Sequence, residues 1–139
     1  MDIAALITWL ITALGGFYML GTWISHGGIR GGNSHLPVPV IFGHFALAAI
    51  GLVVWIVYLV VDKDALAWTA FALLVPTALL GFVMLVRWIP VLRARAAAPA
   101  EGQAEPAERH FPVAVVAAHG LFAVVTVVLV LLTAAGIGG

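Results

Sequence analysis

The sequence predicts an all-α membrane protein, a four-transmembrane-helix up-down bundle built from a duplicated helical hairpin. Three observations carry that expectation: a composition of 64% hydrophobic and 9% charged residues, four long apolar runs, and two pairs of segments that repeat one another. Soluble globular domains carry about 25% charged residues, so the chain falls outside that class. Its 139 residues form a single domain, 1–139.

The apolar runs are Ile3 to Ile24, Val38 to Val61, Leu66 to Ile89 and Val113 to Ala135. Each reaches the roughly 20 residues needed to cross a hydrocarbon core of about 30 Å. Lipid offers no partner to backbone polar groups, and none of the runs alternates with period two, so helices are expected and not barrel strands.

The first run follows only Met1 and Asp2, without a basic region or a small-residue cleavage site, and reads as a retained span. The connection Ser25 to Leu36 is glycine-rich and tight. Pro37 and Pro112 suit the first turns of spans two and four, where a missing N–H costs nothing. Pro76 falls inside span three and is expected to kink it. Residues 90–109 are Ala, Pro and charge, with too little apolar surface to pack, and are expected to form a mobile cytoplasmic loop. Trp9, Trp23, Trp68 and Trp88 lie toward span ends, where amphipathic rings favour the membrane interface.

Four spans put both termini on one side. Arg30, Arg87, Arg93, Arg95 and Arg109 gather at the other, facing only Lys63 between Asp62 and Asp64 across the membrane. The positive-inside rule then makes the arginine side, which also holds the histidines, cytoplasmic, with both termini outside the cell (inner) membrane.

Residues 35–44 (HLPVPVIFGH) and 110–119 (HFPVAVVAAH) align at an offset of 75, placing His35 on His110, Pro37 on Pro112 and His44 on His119. Residues 12–24 and 77–89 align at an offset of 65 and share nine of thirteen residues, including Gly16/Gly81, Met19/Met84 and Trp23/Trp88. The chain therefore reads as two parallel hairpins, 3–61 and 66–135, related by an axis along the membrane normal. Spans two and four lie on one diagonal of the bundle, and spans one and three on the other.

That symmetry puts His44 and His119 at equal depth, about two turns inside their helices, facing one another. Ionisable groups inside a span are expensive and usually functional. Neutral imidazole suits iron, zinc or copper, and two imidazoles approaching from opposite sides leave a planar gap suited to one haem iron. A different metal or proton site, or interhelical hydrogen bonding, remains open. Gly16 and Gly81 share the histidine layer and would make room for a macrocycle. Arg87, which replaces Thr22 of the first repeat, is the candidate partner of its propionates. His35 and His110 precede the helix-starting prolines, where a cap, a loop hydrogen bond or a propionate contact is expected ahead of ligation. A second cofactor between them stays open, and His26 is read as a loop residue.

Histidines on helices two and four with glycines at matching depth on one and three resemble the four-helix haem-b core of membrane cytochrome b proteins. The chain also looks like small four-span membrane proteins of high-GC bacteria. The first resemblance implies one bis-histidine haem b on His44 and His119, a single-electron role, and a redox partner or larger membrane complex; a homo-oligomer is also open. The chain departs from that family in having no histidine in its outer half and no Pro-Glu-Trp signature. Transmembrane electron transfer and quinol oxidation are not expected of it.

Two readings compete with the cytochrome. One is divalent-metal or proton transport or sensing, which the lack of an intramembrane Asp or Glu disfavours. The other is a cofactor-free accessory subunit. There is no cysteine, so thiolate sites are excluded. The net charge of zero argues against nucleic acid. No nucleophile, carboxylate pair or phosphate loop points to catalysis beyond electron transfer.

Overall fold

The computed structural model describes residues 1–30, 32–97, 102 and 104–137. Four helices account for most of them: α1 (Asp2–Ser25), α2 (Val38–Val61), α3 (Asp64–Arg93) and α4 (Val113–Ala134). Each is long and apolar enough to cross a membrane, and no strand occurs among the described residues. Single 3-10 turns follow α3 (Ala94–Ala96) and precede α4 (Ala107–His110). Pro37 and Pro112 cap α2 and α4 in extended conformation, as their fixed φ favours. α3 continues through both Pro76 and Pro90 to Arg93, four residues beyond the expected Ile89.

α2 lies along α3 and α1 lies along α4 over most of their lengths. α3 meets α4 over a smaller face, and α1 meets α2 least. The order around the bundle is therefore α1, α4, α3, α2, with α2 and α4 diagonal to one another. In a membrane, where acyl chains are as apolar as leucine, such an assembly would be held by close packing and interhelical hydrogen bonds, each worth roughly 1 kcal/mol, and not by apolar burial from water.

Three of the four tryptophans expected at the interface turn inward instead. Trp9 joins Ala5, Trp55, Ala70 and Val130 in a core at the end carrying the termini, and Trp23 and Trp88 join Leu36, Val91 and Phe111 at the arginine-rich end. Trp68 alone is exposed. For two of the three the N–H of the indole finds a partner inside: Trp23 Nε1 donates to Ser34 Oγ at 2.8 Å, and Trp88 Nε1 to the Glu108 carbonyl at 3.1 Å. Gly28 is required under the first ring, since a Cβ there would lie 2.2 Å from Trp23 Cε2.

The segment 90–109, expected to be mobile, is packed at both ends. Ala107 and Glu108 have no exposed surface. The Glu108 carboxylate accepts from Ser34 Oγ at 2.8 Å and from the His35 backbone N–H at 2.6 Å, which fastens the two arginine-side connections together. Arg95 donates to the carbonyls of Arg109 and Phe111, and Arg109 returns a bond to the Arg95 carbonyl at 3.0 Å. Apolar content underestimated this segment because a buried carboxylate and paired backbone groups hold it. Its middle, residues 98–101 and 103, lies outside the described residues.

Candidate functional site

His44 on α2 and His119 on α4 face one another across the diagonal, their ring centres 6.2 Å apart and their planes inclined by 52°. Each ring also leans on the helix beside it. His44 Nδ1 lies 2.8 Å from the Thr77 carbonyl on α3, and His119 Nδ1 lies 2.8 Å from the Thr12 carbonyl on α1. A carbonyl can only accept, so both Nδ1 atoms carry the proton, and in a neutral imidazole Nε2 then bears the free lone pair. Two helices thus fix the tautomer of two side chains they do not carry.

The glycines explain how the rings get so close. The carbonyl of residue i in a helix points toward the N–H of residue i+4, so an imidazole reaching Thr12 O lies over Gly16, and one reaching Thr77 O lies over Gly81. A Cβ on Gly16 would sit 3.2 Å from His119 Cε1, and one on Gly81 3.4 Å from His44 Cε1. Gly15 meets the Cβ of His119 at 3.4 Å in the same way. Gly16 and Gly81 therefore clear space for the imidazoles themselves. Thr12 and Thr77 went unnoticed as site residues because their part is played by the backbone; the spacing Thr-x-x-x-Gly in both aligned segments was the available signal.

The other candidate residues are placed apart from this pair. Arg87 is exposed, about 9 Å further along α3 than Gly81 at 1.5 Å per residue, and its Nη1 donates to the His35 carbonyl at 3.2 Å. His35 donates from Nδ1 to Glu108 at 3.1 Å. His110 stacks on His26 with ring centres 3.7 Å apart, so His35 and His110 do not face one another, and His26 has a partner that the sequence did not suggest.

Two imidazoles bonded through Nε2 to one ion at about 2 Å each have ring centres roughly 6 Å apart when the ion lies between them. The 6.2 Å between the ring centres is of that size. Both rings also carry the N–H to carbonyl bond typical of metal-ligating histidine. Among the described residues no cluster of three or more His, Asp or Glu side chains is arranged to hold an ion. A bare divalent ion here would have two protein ligands, where protein zinc sites use three or four, whereas a haem brings four nitrogens of its own and needs two more ligands. The donor set fits a haem.

Comparison with protein-family models, with curated proteins and with solved structures gave no match in any of the three.

Proposed function

We propose that the chain is a small membrane b-type cytochrome carrying one electron through a single haem b held by His44 and His119 between α2 and α4. The observation that carries this reading is the meeting of two Nδ1-protonated imidazoles, 6.2 Å apart, across the diagonal of an apolar four-helix bundle. Held there by His44 and His119, a haem would supply a reversible one-electron couple.

The chain's own residues bind, orient and enclose. His44 and His119 present Nε2, the Thr12 and Thr77 carbonyls hold the rings against rotation, and Gly16 and Gly81 let those rings lie on the neighbouring helices. Arg87 uses one nitrogen on the His35 carbonyl, and its remaining donors are the partners proposed for the propionates at the arginine-rich end. The reading further takes the bundle as a duplicated hairpin in the cell membrane, with the arginine-rich end cytoplasmic, both termini outside, and electrons exchanged with a partner subunit or protein.

Absorbance of the purified protein before and after reduction tests it. A split low-spin spectrum with one haem per chain is expected. A colourless protein from haem-replete cells, or one holding zinc or copper without iron, overturns the reading.

A further inference from the structure

We infer that the arginine-rich end binds the headgroup of an anionic phospholipid, a phosphate diester bearing a hydroxyl, in a cleft between the end of α3 and the segment before α4. The inference rests on the four helices being membrane spans and is independent of the haem.

The cleft exists because the second repeat is longer than the first. α1 ends at Ser25, which aligns with Pro90 at the offset of 65, whereas α3 runs on to Arg93 and a 3-10 turn carries the chain to Ala96. Pro90, Val91 and Ala94 form an apolar wall on this extension, Ala94 lying four residues after the first and three after the second, so all three share one side of it. Pro106 and Arg109, from the segment before α4, and His35, from the connection between α1 and α2, complete the lining. The volume is about 250 Å³. That is below the roughly 300–1,000 Å³ of sites enclosing a drug-sized ligand, and it suits a headgroup.

Two polar groups on this lining are held in place by the chain and still have capacity for a ligand. Arg109 Nη2 donates to the carbonyls of Arg95 at 3.0 Å and Ala97 at 3.3 Å, which fixes the guanidinium. Its Nη1 has only Glu105, 3.8 Å away and beyond hydrogen-bond distance. An exposed pair of that kind is worth at most about 1 kcal/mol, so a phosphate oxygen can displace the Glu105 carboxylate. His35 Nδ1 donates to the buried Glu108, leaving Nε2 of a side chain 61% exposed as an acceptor. A guanidinium donor and an imidazole acceptor beside an apolar wall match a phosphate, a hydroxyl and the glyceride that carries them. The wider field agrees: this end has Arg30, Arg87, Arg93, Arg95 and Arg109 against Glu101, Glu105 and Glu108, whereas the other has Lys63 among Asp2, Asp62 and Asp64. Basic residues flanking membrane spans draw anionic lipid.

The test is titration of the purified protein in detergent with dioctanoyl phosphatidylglycerol, the bound lipid being counted by native mass spectrometry. Phosphatidylglycerol is expected to bind at least about tenfold tighter than dioctanoyl phosphatidylcholine, which has neither net charge nor hydroxyl. Arg109→Gln should weaken binding at least about tenfold, the loss of one charge-assisted hydrogen bond. Glu105→Gln should tighten it about two- to fivefold by removing the competing carboxylate. Arg30→Gln, which removes a charge at the same end but outside the cleft, should stay within about twofold. If Arg109→Gln does not fold, Ala94→Phe, which fills the cleft, decides by the same loss. Equal binding of the two lipids, unchanged binding by Arg109→Gln or Ala94→Phe, no tightening by Glu105→Gln, or equal weakening by Arg30→Gln overturns the site. Displacement of the lipid by an equal concentration of glycerol 3-phosphate would make the ligand a soluble phosphate ester and overturn the lipid. Haem absorbance of the same samples separates the two readings: lipid bound without haem overturns the cytochrome alone, and haem without lipid overturns the cleft alone.

Discussion

The half of the bundle formed by α1 and α4 and the half formed by α2 and α3 hold equivalent histidines with different residues around them. The shared part is the imidazole N–H on a carbonyl four residues before a glycine, at 2.8 Å in both halves. The surroundings diverge. His119 is admitted by two adjacent glycines on the neighbouring helix α1, Gly15 and Gly16. At the position of Gly15 the other half has Leu80, and relief comes from Gly43 beside His44, whose Cβ would lie 3.6 Å from Leu80 Cδ1. One helical turn or two further on, α1 and α4 are joined by Thr126 donating to Thr8 at 2.9 Å. The aligned pair in the other half is Gly51 and Leu73, in apolar contact, with the Trp9 ring pressed against Gly51. The contrast separates what the site requires, a ring bonded to a neighbouring backbone, from what it tolerates, any pairing of small and large residues that leaves the helix separation unchanged.

The comparison breaks first at the histidines. On the haem proposal, His44→Leu and His119→Leu should each abolish the haem spectrum and the bound iron, because the two ligands would share one metal; retention of a full spectrum by either variant would show that the halves do not act on a common centre.

Next in size is Gly51→Ala. The added Cβ would stand 3.1 Å from Trp9, whose ring is buried and cannot retreat, so a loss of about 1–3 kcal/mol is expected from overpacking, read by thermal unfolding in micelles. Unchanged stability would mean the Trp9 contact is not tight.

A smaller difference should distinguish the glycines under the rings. Replacement by alanine gains up to about 1 kcal/mol of helix propensity. The contact at Gly16 is tighter than at Gly81, 3.2 against 3.4 Å, so Gly16→Ala should end about 1 kcal/mol less stable than Gly81→Ala. The reverse order in the same unfolding assay would remove the asymmetry between the halves.

Smallest is Thr126→Val, which deletes the Thr8 bond while keeping the shape. A cost near 0.6 kcal/mol is the usual worth of an interhelical hydrogen bond in a membrane bundle. A change beyond about 2 kcal/mol would point to the Thr8 oxygen being left as a buried, unpaired acceptor.

The number of helices and most of their bounds were legible in the sequence because a helix needs an apolar run of about 20 residues to cross 30 Å of hydrocarbon; α3, from Asp64 to Arg93, passes both ends of its run. α2 runs from Val38 to Val61, as its apolar run does. The pairing of His44 with His119 was legible too, since aligned segments imply equal depth. Less legible were the packed ends of segment 90–109 and the inward tryptophans, because hydropathy scores a residue alone whereas Glu108, Ser34 and Trp23 are stabilised by one another across the chain.

By itself, then, the order of residues determined an apolar four-helix chain with two matched histidines, since hydrophobic length and internal repetition are local properties. Only the tertiary structure decided which helix each imidazole leans on, which nitrogen is left with its lone pair, and that the Phe45 ring meets Phe17 across α1 and α2. Those depend on distances between helices, which are set by every side chain along four seams together and written at no single position.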